Sequence, residues 1–275
     1  MGVTVRWLGT AGIEFNHDGK VVLVDPYLSR LSKLDVFFKP LVPQAGIINR
    51  YLEDIHADVR AIIVGHTHFD HALDIPLMMH SIGCPVFGSR SLDTLLCLSG
   101  VPGRVKVCRP QELINIADDI SATMIPSAHG LILSRLLLLE GDINPSATLP
   151  LRTHQYRLGT MYSPKITIGD TTFVHVGSAG FIEKELEGHT CDVLFICVAG
   201  WKKWPLYPGR IIEMLRPECV IPIHYDDFSI AVTPENKNQI RVMRSADLDG
   251  FCRSIKTGHG VTEVRVIEPF TPVSF

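Results

Sequence analysis

The chain has 275 residues, 46% of them hydrophobic, and a formal net charge of −3. That length can bury a large core, and the charge lacks the positive excess of a general nucleic-acid binder. Seven cysteines without paired spacing fit reduced thiols in a cytoplasmic setting, and no apolar run approaches the ~20 residues of a membrane span.

In chain order, Val3, Val5 and Trp7 alternate as a strand, and residues 21–24 form another after the turn His17-Asp18-Gly19-Lys20. Residues 28–55 mix Pro40, Pro43 and Gly46 with Phe37, Phe38 and Leu41, and read equally as a loop with a short surface helix or as an apolar lid. Ala61-Ile62-Ile63-Val64 reads as a buried strand, turned by Gly65 into His66-Thr67-His68-Phe69-Asp70-His71. Residues 72–80 and 91–99 read as helices stopped by Gly83 and Gly100. The apolar run 120–125 precedes His129. Residues 131–139 are apolar apart from Ser134 and Arg135, and are expected in the core or a subunit interface, with a membrane or partner surface as the alternative. Strands are expected at 155–158, 166–168, 171–176, 193–198, 219–223 and 261–267, with later helices at 208–215 and 245–256. Two strand-rich halves, each with helices, predict two sheets packed face to face with helices outside, an α+β class. The metal-ligand candidates run from His66 to His224, so most of the chain builds one site, and a single domain over 1–275 follows.

Three His and one Asp within six residues are improbable by chance in a chain with 12 His. Neutral imidazole suits zinc, and a neighbouring carboxylate adds a hard ligand or a general base. One imidazole trio holds one metal, so the cluster hints at two metals sharing a water. His129 and His224 each follow a strand-like run, and ligands converge where a rigid scaffold brings neighbouring strand ends together.

The His-x-His-x-Asp-His string, followed by His129 and His224, resembles the metallo-β-lactamase superfamily. Trp7-Leu8-Gly9-Thr10-Ala11-Gly12-Ile13-Glu14-Phe15, followed by Val22-Leu23-Val24-Asp25-Pro26, resembles the opening hairpin of one branch. That branch holds L-ascorbate-6-phosphate lactonase-like and N-acyl phosphatidylethanolamine phospholipase D-like proteins, and Ile221-Pro222-Ile223-His224-Tyr225 is similar to its final metal motif. The resemblance implies a four-layer αββα sandwich with the metal site at one edge. It also implies a bridging Asp where this chain has Ser178, which weakens a shared bridge between two metals. His175 on the same strand is a substitute ligand or, more simply, a structural histidine. Asp25 reads as an anchor behind the metal loop. His68 stands where iron-using relatives commonly carry Glu, which favours hydrolysis with zinc or manganese.

On this reading His66, His68 and His129 hold a first metal, and Asp70, His71 and His224 a second. Zinc lowers the pKa of bound water from about 15.7 to about 7, giving a metal-bound hydroxide at neutral pH. Asp70 aligns the attacking water and passes its proton on. The expected function is a metal-dependent hydrolase of a small ester, lactone or phosphodiester, with one or two Zn²⁺ per chain, or Mn²⁺. Lys202 and Lys203, between Trp201 and Trp204, would grip an anionic group on the small-molecule substrate, with Tyr225 beside them; Tyr27, Ser29 and Arg30 are weaker candidates. The alternatives are a phospholipase-like enzyme acting at membranes and a metal-binding protein whose site has decayed. A nucleic-acid partner is not expected, and a homo-oligomer is compatible with the chain.

Overall fold

The structure, a computed structural model, describes residues 2–55, 58–131, 139–237, 240–243, 245–258 and 263–275. Among them, fourteen strands form two seven-stranded sheets. The first half contains β1 (Thr4–Gly9), β2 (Gly12–His17), β3 (Lys20–Val24), α1 (Lys33–Phe38), α2 (Ala45–Ile55), β4 (Asp58–Ile63), α3 (Phe69–Ala72), α4 (Ile75–Ser81), β5 (Val86–Gly88), α5 (Arg90–Leu98) and β6 (Val105–Val107). The second contains β7 (Glu112–Ala117), β8 (Ile120–Pro126), β9 (Tyr162–Ile168), β10 (Thr171–Val176), α6 (Glu183–Leu186), β11 (Val193–Cys197), α7 (Gly209–Leu215), β12 (Cys219–Ile223), α8 (Leu248–Gly258), β13 (Glu263–Val264) and β14 (Val273–Ser274). The sheet orders are β14-β1-β2-β3-β4-β5-β6 and β13-β12-β11-β10-β9-β8-β7.

Alternation along the strands builds the layers. Val22 and Val24 join the cluster between the sheets, while Val21 and Leu23 join a second cluster with Ile48, Met78, Leu92 and Leu95 of the helices. Phe15 meets Phe195 of the facing sheet at 5.7 Å between ring centroids. This is the four-layer αββα sandwich that the resemblance implies.

Strand direction decides where the site lies. β3 and β4 run parallel, so Asp25 and His66 leave the first sheet at the same edge. β10, β11 and β12 are also parallel, so the segments leading to Ser178 and His224 leave together. β8 and β10 both run antiparallel to β9, so His129, beyond the end of β8, joins them.

Some elements differ from the sequence expectation. The helix expected at 72–80 starts at Phe69 and breaks after Ala72; Pro76 sits in the first turn of α4. The break frees Asp74 to accept the Leu28 and Ser29 amides. No strand forms at 155–158: Thr153–Gln155 is a 3₁₀ turn, and Leu158 pairs its backbone with Thr67 and Leu139 instead. Within 261–267 only β13 is a described strand, beside β12. Residues 28–55 hold two helices, of which α1 buries none of its residues. The apolar run 132–138, with Arg135, lies outside the described residues.

Candidate metal centre

The loop after β4 needs Gly65. A Cβ there would lie 3.0 Å from Tyr162 O and 3.2 Å from Asp25 Oδ2. The Gly65 amide donates to Asp25 Oδ1 at 2.7 Å, which ties the loop to the end of β3. His68 precedes α3, and its carbonyl accepts the His71 and Ala72 amides. The helical start therefore places Asp70 and His71 one turn from His66 and His68.

Two trios converge. His66, His68 and His129 form one, and Asp70, His71 and His224 the other; within each, one donor atom per residue lies within 4.8 Å of the others, and Asp25 with His66 and His71 meets the same limit between them. The His66 and His71 rings lie 3.8 Å apart between centroids, so the trios share a wall. His224 Nε2 lies 3.3 Å from Asp70 Oδ2 and His71 Nε2 3.9 Å from it.

Neighbours set the tautomers. Asp25 Oδ2 lies 2.8 Å from His71 Nδ1, so this nitrogen carries the proton and Nε2 keeps its lone pair for the site. His129 Nδ1 donates to Gly130 O at 2.7 Å, with the same result. His175 donates Nε2–H to Ala11 O at 2.7 Å, and its Nδ1 is 4.0 Å from Asp25 Oδ2. Its ring braces the site from behind.

Burial, reinforced by the neighbouring imidazoles, holds His66 well below the ordinary histidine value. Burial first, with His68, pushes His129 down to about 3. Burial acts to raise Asp70, but His71 and His224 outweigh it and keep the carboxyl low. Burial acts to lower His71, and Asp25 with Asp70 overcomes that and raises it. His66 and His129 are thus held neutral beside an ionised Asp70, as a divalent cation requires, while His71 must give up the proton that Asp25 and Asp70 favour on it when a cation binds. Both ring nitrogens of His66, and Nδ1 of His224, are buried without a hydrogen-bond partner. A buried polar atom left so pays its desolvation uncompensated, and a cation on the lone pair removes that penalty. The N/O donor set fits zinc.

Ser178 Oγ accepts the Gly130 amide at 3.1 Å. The two loops touch through backbone: a Cβ on Gly130 would lie 2.7 Å from Ala179 O. Trp201–Lys203 form a 3₁₀ turn after left-handed Gly200, where a Cβ would lie 3.6 Å from Leu131 O, close to the His129 loop. Lys202 pairs with Asp247 and lies 5.3 Å from the Trp201 ring centroid. Trp201 Nε1 donates to Ala246 O at 3.0 Å, and Lys203 is exposed.

Tyr225 faces the interior. Its ring is tilted against Trp7 at 4.8 Å between centroids, its hydroxyl turns toward Ile267 O, and it packs in the core between the sheets. Tyr27, Ser29 and Arg30 are also buried scaffold. Asp226, the buried partner of Arg30, escaped sequence reasoning. Its signal was an acid two residues past His224, beside an apolar strand.

Among the described residues, no helix is long and apolar enough to cross a membrane. A family model described as a β-lactamase superfamily domain matches residues 4–224. A UPF0173 metal-dependent hydrolase of Anaeromyxobacter dehalogenans (strain 2CP-1) is 27% identical over 283 aligned residues, covering 98% of this chain and 86% of that protein. One from Hyperthermus butylicus is 27% identical over 230, covering 82% and 85%. The structure of Igni18, a metallo hydrolase from Ignicoccus hospitalis, matches 100% of this chain and 99% of its own at 20% identity, with a TM-score of 0.65. With the sandwich and the matched span from β1 to His224, the chain belongs to the metallo-β-lactamase superfamily.

Proposed function

We propose that residues 1–275 form one metal-dependent hydrolase domain that acts on a small ester, lactone or phosphodiester in the cytoplasm. The observation that carries this is the pair of donor trios sharing one wall, with His66 buried and unpartnered between them. The relatives bear the name metal-dependent hydrolase, and the resemblance of the β1–β2 and β12 motifs supports a lactonase-like reading.

His66, His68 and His129 would hold one ion, and Asp70, His71 and His224 a second, with zinc as the first choice and manganese as the next. A bound divalent cation would supply the acidity that activates a water at neutral pH and would polarise a carbonyl or phosphoryl oxygen. The chain's own groups do the rest. Asp70, kept ionised by His71 and His224, orients a water and takes its proton. Asp25 fixes the His71 tautomer. Lys202 and Lys203, on the loop beside that of His129, compensate an anionic group on the substrate. Elemental analysis, then a panel of lactone, phosphodiester and amide substrates with and without Zn²⁺ or Mn²⁺, tests the proposal. Bound metal and metal-dependent hydrolysis are expected, with hydrolysis and the ion of the first trio lost in His66→Ala; a protein that takes up no metal after reconstitution refutes it.

One observation favours a phospholipase-like enzyme at a membrane surface as a second reading. Leu34, Phe37 and Phe38 of α1 are 69, 77 and 70% exposed, and Lys33 ties α1 to Asp227, three residues past His224. Vesicle flotation separates the readings: loss of binding in Phe37→Ser/Phe38→Ser supports the second, and no flotation of the unaltered protein removes it.

A further inference from the structure

His224 leaves β12 at a left-handed φ of 56°, a conformation that non-glycine residues rarely adopt. Its amide donates to Thr10 O at 2.8 Å. Thr10 lies between β1 and β2 and is itself left-handed, with φ 50°. Its carbonyl also accepts Trp7 Nε1–H at 3.0 Å. The backbone that presents His224 therefore leans on a second strained residue far away in the sequence.

A buried ion pair holds Thr10 in place. Asp226 accepts the Thr10 amide with both oxygens, at 2.9 and 3.1 Å. Arg30 Nη1 donates to Asp226 Oδ2 at 3.0 Å and to Thr10 Oγ1 at 2.7 Å, and Nη2 donates to Leu8 O at 3.2 Å. Both charged side chains are 0% exposed. The guanidinium fits only because residue 9 is glycine: a Cβ there would lie 2.0 Å from Arg30 Nη2 and 3.1 Å from Asp226 Oδ2. An apolar pair of similar volume often stabilises a core as well as a buried ion pair does, so bulk stability is a weak reason for placing one here. The geometry the pair enforces on Thr10 is the stronger reason.

We propose that Arg30 and Asp226 are positioning residues for His224. By clamping Thr10 they set the peptide that carries His224, and with it the affinity of the Asp70–His71–His224 trio for a divalent cation. The His66–His68–His129 trio hangs from the ends of β4 and β8 and is spared. This rests on the metal reading above and adds what sets the second site apart from the first.

Asp226→Asn removes the charge at constant shape, and Thr10→Val removes only the hydroxyl that Arg30 uses. Each metal-free protein is titrated with Zn²⁺ against a chromophoric chelator. Hydrogen exchange is followed by mass spectrometry on peptides covering 219–228 and 61–71. His224→Ala identifies the zinc step that belongs to the second trio. Asp226→Asn should weaken that same step about tenfold or more, about 1.4 kcal/mol, and leave the other step within about twofold. Exchange in 219–228 should quicken in the metal-free protein while 61–71 is unchanged, and Thr10→Val should act in the same direction by less. Equal weakening of both steps, weakening of the other step alone, or no change in either overturns the proposal. If Asp226→Asn does not fold, Thr10→Val decides on the same criteria. An unaltered protein that takes up no zinc refutes the metal reading, and the exchange data then decide by themselves whether the clamp holds the peptide of His224.

Discussion

The Gly130 amide donates to Ser178 Oγ at 3.1 Å. The residue standing where the family resemblance implies a bridging carboxylate is thus fastened to the loop of His129. A neutral hydroxyl is a poor ligand beside a carboxylate. Without a carboxylate at position 178, the two trios should attract cations unequally.

Zinc titration should therefore show two unequal steps, the three-histidine trio filling first. Ser178→Asp should tighten the second step about tenfold, because it restores a charge–charge attraction worth at least about 1.4 kcal/mol. Two equal, tight steps in the unaltered protein would contradict this.

His66→Ala should abolish hydrolysis and reduce the stabilisation that zinc confers. A ligand bound only by the native state adds about 2.7 kcal/mol at about 100 times Kd. Thermal melts with zinc and with chelator measure it: the unaltered protein should show a gap between the two Tm values, and the variant a smaller one.

Gly177→Ala should disturb the centre from behind. Its Cβ would lie 3.0 Å from Asp25 Oδ2, 3.1 Å from His175 Cε1 and 3.5 Å from His71 Cε1. Overpacking of this kind costs about 1–3 kcal/mol, and here it presses on the carboxylate that orients His71. Chelator-treated protein should melt lower, and zinc affinity should fall as well; an unchanged Tm and affinity would show that the strand end yields.

Lys202→Ala/Lys203→Ala should raise KM for an anionic substrate about tenfold with metal content unchanged, since a charge-assisted contact is worth roughly 1.5–3 kcal/mol. The Asp247 ion pair already occupies Lys202, so Asp247→Asn should lower KM. Steady-state kinetics on matched anionic and neutral substrates checks both. Equal KM changes for the two substrates would remove the lysines from recognition.

Metal-free protein should lose stability as pH falls from 7 toward 5. His66, His129 and His175 all have native pKa values lowered first by burial, so below about 6.5 the unfolded chain binds protons that the native state refuses. Each contributes at most about 1.4 kcal/mol per pH unit. His71 is raised and acts in the opposite sense, stabilising the native state at low pH, so the net loss is smaller than three such contributions. Urea midpoints in chelator at several pH values measure the slope; a midpoint that rises on acidification would reverse the sign.

Local pattern was enough to read much of this protein. Strand runs such as β10 and β12 are visible because alternation and β-branched residues act over a few neighbours. The ligand types of the 66–71 cluster are visible because its spacing alone brings imidazoles and a carboxylate together. Residues 155–158 misled because Leu158 spends its backbone on Thr67, a partner no window includes. The direction of Tyr225 was not legible, because adjacency to His224 in sequence says nothing about which way a side chain turns after a left-handed residue. Arg30 and Asp226 meet across 196 positions. Their pairing depends on where β1, β12 and the segment after β3 converge, and only the packed sandwich, which removes both charges from water and leaves each the other as partner, decides that.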